Sequence, residues 1–181
     1  MKRTTLFICL FLIALTAANL IVKHFGAQGL WLSSFLLIPF DFILRCIFHE
    51  TWRGYRLVMN LLLLTICAAI ITIVVNAHAI FIAGASVGGF IAAQIGAGIF
   101  YQLSLKKRRG LFFKVNVSDI IAICFDSLIF QFIAFASFDW QVTTGQIIVK
   151  ALGGLMWYFI FFRWLKIQNK IIYGTETKKQ N

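Results

Sequence analysis

Apolar residues run along this chain in long blocks, and the polar breaks between them recur at intervals of roughly 25 to 35 residues. Each block is long enough for the roughly 20 helical residues that cross a 30 Å hydrocarbon layer. Six blocks are read, near Thr5 to Val22, Leu30 to Phe48, Leu57 to Val75, Ala79 to Leu105, Ser118 to Phe138 and Gly145 to Leu165. Lipid offers no water to satisfy backbone N–H and C=O groups, so continuous apolar segments of this length must be helices. The pattern predicts an all-α polytopic membrane protein, a compact bundle of six transmembrane helices. One domain covers residues 1–170, and a short basic tail covers 171–181. The breaks are short, which makes sequential helices neighbours.

Composition strengthens this reading: 61% of the 181 residues are hydrophobic, 13% are charged and one is proline. Soluble domains carry about a quarter charged residues. The formal charge of +11 would point to nucleic acid in a soluble protein, but here its distribution carries topology. Lys2 and Arg3 precede the first block, Arg53 and Arg56 follow the second, and Lys106, Lys107, Arg108, Arg109 and Lys114 separate the fourth from the fifth. Arg163, Lys166, Lys170, Lys178 and Lys179 lie at or beyond the end of the sixth, whereas the alternate connections hold little basic charge apart from Lys23. The positive-inside rule then places both termini in the cytoplasm. The partner implied by the charge is the lipid bilayer, not nucleic acid. Lys2, Arg3 and the small residues of "ALTAAN" also have the look of a cleavable leader. The later loops keep their charge pattern without cleavage, so the first block is counted as a span.

Four cysteines, Cys9, Cys46, Cys67 and Cys124, lie in separate blocks with no C-x-x-C pair, which argues against thiol redox chemistry and against a zinc site. Each is read as a small buried apolar residue. His24, His49 and His78 fall at span ends and are read as interfacial. The fourth block is rich in small residues, with Gly84, Gly88, Ala92 and Gly96 at four-residue spacing, a face on which another helix can pack closely. Gln94 stands among them, an amide that needs a partner inside the bundle. Ala14 and Ala18 form a second small pair that would suit a docking partner.

A charge near the bilayer centre costs roughly 2.5 to 3.5 kcal/mol even on the lenient insertion scale, so such groups face a bundle interior or a watery cavity. Five positions qualify: Asp41, Arg45, Asp119, Asp126 and Lys150. Asp41 and Arg45 are four apart, the spacing at which opposite charges meet on one helix face. They can form a self-neutralising structural pair or a ligand-responsive one. Asp119 and Asp126 are seven apart, on nearly one stripe and about 10 Å from each other along the axis. Asn116, Ser118 and Asp119 open the fifth block and can cap a helix start. Asp126 has no such explanation. Lys150 sits too deep for a loop charge, and a salt bridge to one of the aspartates is favoured over snorkelling.

These positions, in this order, resemble the vitamin-uptake-transporter family of small bacterial membrane proteins, which includes queuosine-precursor transporters. The resemblance rests on the asparagine of "AANLIV" (Asn19), the "FLLIPFDFILRCIF" of the second block with Asp41 and Arg45, and "AGASVGGFIAAQIGAGIF" with Gln94. It continues with "NVSD" (Asn116, Ser118, Asp119) and the Lys150 of "IIVKALGG". It departs from the family at Val115, where glycine is usual, and Asp126 has no counterpart. What it implies is uptake, across the bacterial cytoplasmic (inner) membrane, of 7-cyano-7-deazaguanine or a related 7-deazaguanine base, the precursor of a modified tRNA nucleoside. A guanine-like edge carries adjacent N–H donors that a carboxylate accepts side by side, and a carbonyl to which an amide or lysine donates. Asp119 or Asp41 would accept, Asn19, Gln94 and Asn116 would complete the edge, and Trp31 and Phe35 would stack on the base.

No enzyme constellation competes: the carboxylates are not clustered at an interface around a metal, and no cofactor motif is present. A second reading is the substrate-binding subunit of a transporter energised by a separate ATPase module. The chain has no P-loop of its own, so any ATP use would come from that partner. Partners on either reading are the small-molecule substrate, with an energising module or a homo-oligomer.

Overall fold

The structure is a computed structural model that describes residues 2–52, 55–106, 111–136 and 138–176, with side chains described within 4–26, 28–49, 52, 55–104, 112–113, 115–136 and 138–161. Lys107, Arg108, Arg109 and the 177–181 part of the basic tail lie outside the described residues. Those described form helices joined by short turns, six of the helices being long and apolar enough to cross a membrane. They are α1 (Thr4–Gly26), α2 (Gln28–His49), α3 (Tyr55–Val75), α4 (Ala77–Ser104), α5 (Val115–Phe135) and α6 (Trp140–Phe161). The helix carrying α6 continues to Glu176, so residues 171–176 extend it.

Local chemistry sets the boundaries. Gly26 alone separates α1 from α2, with φ 58° and ψ −129°, a backbone conformation that residues with a Cβ rarely adopt. The two helices then run antiparallel, with Phe11 against Phe48 at one end and Val22 beside Leu30 at the other. Asn76 starts α4, its side-chain oxygen accepting from the His78 N–H at 3.0 Å. Asp139 does the same for α6, accepting from Gln141 N at 2.8 Å and Val142 N at 3.3 Å. Asn116, Ser118 and Asp119, read above as a helix start, are inside a helix that begins at Leu111. The apolar residues Leu111 to Phe113 already belong to it. Instead of capping, Asn116 Nδ2 donates to Phe112 O and Ser118 Oγ to Val115 O, one turn back on their own helix.

The small-residue face of α4 is used for packing on α5. A Cβ at Gly96 would lie 2.8 Å from the Phe125 ring, one at Gly88 would overlap Ile133, and one at Gly89 would overlap the Asp126 carboxylate. Close approach recurs between α6 and α2, where Gly145 receives the Trp31 ring and Gly153 lies against the Phe35 carbonyl and Pro39. Ala14 and Ala18 are both buried within the chain, which removes them as a docking face.

Among the cysteines the expectation of burial holds for Cys46 alone. Cys124 is partly exposed, and Cys9 and Cys67 are exposed on the outer, apolar surface of the bundle. His49 also departs from its interfacial reading, being buried with Nδ1 at 3.0 Å from Gln102 Nε2.

Candidate functional site

Each helix contributes polar side chains to the bundle interior, and Arg45 stands where they meet. Its guanidinium forms an ion pair with Asp41 one turn away on α2. It also lies over three aromatic rings, 4.6 Å from the centroid of Phe90, 4.9 Å from that of Phe42 and 5.9 Å from that of Phe11. Both charges are buried, and the rings supply a cation–π surface in place of water. Arg45 thus keeps its charge inside the bundle and does not extend it to the membrane surface.

Two small cavities flank it. The first lies toward the Gly26 end and is lined by Asn19, Ser33, Ser34, Arg45, Ser86, Asp126 and Lys150, with Phe130 as its aromatic wall. The second lies toward the His49 end and is lined by Arg45, Cys46, His49, Gln94, Ser118 and Asp119, with Phe42 and Tyr101 beside them. Each has about 20 Å³ of free space, room for about one water molecule. Small-molecule sites are about 300–1,000 Å³. Neither of these two cavities has room for a planar base.

In the first cavity Lys150 Nζ donates to Asp126 Oδ2 at 2.9 Å and to Ser127 Oγ at 3.0 Å. The bridge read for Lys150 exists, and its partner is the aspartate left unexplained by the sequence. Ser86 Oγ donates to Asn19 Oδ1, and Asn19 Nδ2 donates to Thr72 Oγ1 at 3.4 Å, so Asn19 ties α1 to both α3 and α4. In the second cavity Asp119 is buried and accepts from the Cys46 thiol at 3.6 Å. Asp119 and Asp126 share a helix stripe but serve different neighbours, α2 for the first and α6 for the second.

Gln94 lines the second cavity and opens a π-helical turn at Gln94–Gly98. Such a turn re-aims the side chains that follow from the preceding α-helix and is frequent at functional sites. Gln94, His49 and Gly98 also belong to the wall of an apolar groove of about 760 Å³, which lies between α3 and α4 and includes Leu57, Val58, Leu62, Phe90 and Gln102.

Of the residues singled out from sequence, Asn19, Arg45, Gln94, Ser118, Asp119 and Lys150 line one cavity or the other. Asp41 joins them through Arg45. Asn116 does not join them, since its side chain stays on its own helix. Trp31 and Phe35, offered as stacking surfaces, are absent from both cavity walls; Trp31 packs on Gly145, and both are partly exposed. The aromatic walls are Phe130, Phe42 and Tyr101 instead. Sequence reading passed over Ser33, Ser34, Ser86, Thr143 and Gln146, all buried. Thr143 and Gln146 precede Lys150 by seven and four residues, a spacing that marks them as its stripe. Comparison with protein-family models, with curated proteins and with solved structures finds no match to this chain.

Proposed function

We propose that this chain is a carrier for a small planar polar solute, with a 7-deazaguanine base such as 7-cyano-7-deazaguanine as the first candidate, acting in a bacterial cytoplasmic membrane with both termini inside. The observation that carries this reading is the convergence of Asp41, Arg45, Asp119, Asp126 and Lys150 inside a bundle whose outer surface is apolar. A bundle that only needed to pack would gain from apolar residues at these positions, since buried ion pairs often cost as much as they return. Charges kept at this depth mark substrate or ion pathways by default.

Their chemistry suits a purine-like edge. Asp119 supplies acceptor oxygens for an exocyclic amino group, Gln94 an amide, and Arg45 and Lys150 donors for a carbonyl. Phe42 and Phe130 are flat apolar surfaces for a ring. As the chain stands, Arg45 is paired with Asp41 and Lys150 with Asp126, and opening would exchange such internal partners for those of the solute. The carrier reading is preferred over the ATPase-energised subunit because the small pair Ala14 and Ala18, the feature that suited a docked module, is buried in the chain itself.

The test is uptake of labelled 7-cyano-7-deazaguanine by cells lacking their own salvage transporter. Wild type should restore uptake, and Asp119→Asn should reduce it by at least about tenfold, the loss of one charge-assisted hydrogen bond. Failure of wild type to restore uptake would remove the candidate solute. Uptake unchanged by Asp119→Asn and Asp41→Asn together would remove the site.

A further inference from the structure

Most buried polar side chains in the core are paired, but the Gln146 carboxamide is an exception: it is fully buried, and among the described residues neither Nε2 nor Oε1 has a hydrogen-bond partner. Native cores rarely leave a buried polar group in this state, and one that persists calls for an explanation. Its surroundings give one. Three residues earlier on α6, Thr143 Oγ1 donates to Gln131 Oε1 of α5; four residues later, Lys150 holds Asp126 and Ser127 of the same helix. Gln146 lies on this stripe between the two contacts, one turn from the lysine that lines the first cavity. On the α2 side, Ser34 lines that cavity and is fully buried, and its Oγ is likewise without a partner among the described residues. Lys150 and Asp126 neutralise each other in the cavity wall, while the Ser34 hydroxyl in that wall and the Gln146 amide, one turn before Lys150, remain unpaired among the described residues.

We propose that Gln146 is a specificity-determining residue of the carrier site, its amide reading an edge on which an N–H donor stands beside a carbonyl acceptor, as in a lactam ring, with Ser34 Oγ adding one further hydrogen bond. This rests on the carrier reading for its transport context. A carboxamide presents one acceptor and two donors from a single planar group, so Oε1 accepts the ring N–H while Nε2 donates to the ring carbonyl. Two bonds in one plane select the ring's tautomer and orientation, which a lone lysine cannot do. A site built to hydrogen-bond a ligand group rejects an analogue that lacks it strongly, because its own buried groups are then left unpaired.

The experiment uses the purified full-length protein in detergent, with 7-deazaguanine and its N1-methyl derivative as probes. The methyl group removes the lactam N–H and leaves the ring otherwise alike. Thermal melting of wild type should rise with 7-deazaguanine, at half-saturation at least about tenfold lower than for the N1-methyl ring. In Gln146→Leu the two probes should become equal. The ligand-free Gln146→Leu protein should melt above wild type, because an unpaired amide has been replaced by an apolar side chain of similar length. A Gln146→Leu protein that melts below wild type would show that the amide is bonded within the fold, and would overturn the proposal. So would a wild type that neither probe stabilises, or one that does not distinguish them. A wild type that binds 7-deazaguanine in this way, yet fails to move it across a membrane, would overturn the carrier reading and leave the role of Gln146 standing.

Discussion

Lys150 on α6 and Asp126 on α5 meet at 2.9 Å inside the bundle, and Ser127 Oγ accepts a second hydrogen bond from the same ammonium. The pair explains a carboxylate that has no reason to be at that depth on its own helix. It also makes each charge dependent on the other: removing one leaves the second buried and uncompensated.

Asp126→Asn and Lys150→Met are therefore each expected to destabilise the protein by about 3–5 kcal/mol, the cost of stranding a buried charge. The double variant should lose clearly less than the sum of the two. Melting of the four proteins in detergent, arranged as a double-mutant cycle, measures the coupling. Additive losses would mean that the two side chains do not interact.

The α4–α5 contact yields a contrast between glycines of one helix. A Cβ at Gly89 would overlap the Asp126 carboxylate, whereas a Cβ at Gly84 meets nothing within 4 Å. Gly89→Ala should cost about 1–3 kcal/mol by overpacking. Gly84→Ala should be neutral or stabilising by up to about 1 kcal/mol, since the backbone there is helical and alanine restricts the unfolded chain. Similar losses at both positions would contradict the packing described.

How much of this was legible in the sequence differs by type of feature. The six spans were, because a membrane demands length and apolarity, and those are properties of a single segment. Asp126 was not, because its partner is on another helix, 24 residues further along the chain. Trp31 and Phe35 were assigned to the cavity from residue type alone. Which way a ring on α2 points depends on Gly145 and Gly153 of α6, where the missing side chains admit Trp31 and the Phe35 backbone. The buried hydroxyls Ser33, Ser34 and Ser86 gave no signal either. A serine in an apolar helix can satisfy itself on its own backbone, as Ser33 does on Leu30 at 3.1 Å.

Arg45 offers a test of ring contact against charge. Arg45→Lys keeps a cation for Asp41 but gives up the planar face over Phe42 and Phe90, and should lose about 0.5–2 kcal/mol of melting stability. Arg45→Met strands Asp41 and should lose about 3–5 kcal/mol. Equal losses would leave the aromatic contacts without a role.

Asn116 and Asp119, three residues apart in one motif, should behave differently. Asn116 bonds to Phe112 O on its own helix, so Asn116→Ala is expected to leave uptake within about twofold of wild type, in line with the small effect of changes away from buried networks. Asp119→Asn should abolish most of it. Comparable defects would place Asn116 in the site after all.

The distribution of strong and weak contacts between helices bears on how such a bundle could breathe. Asp41 and Arg45 ride together on α2, and Asp126 and Lys150 bind α5 to α6. No ion pair among the described residues fastens α2 to α5 or to α6. The hydrogen bonds that cross those seams include the Cys46 thiol on Asp119 and the Trp157 indole N–H on the Leu36 carbonyl at 2.8 Å. Parting those seams would leave both charge pairs fastened and would cost the packing of Trp31 on Gly145 and of Phe35 and Pro39 on Gly153.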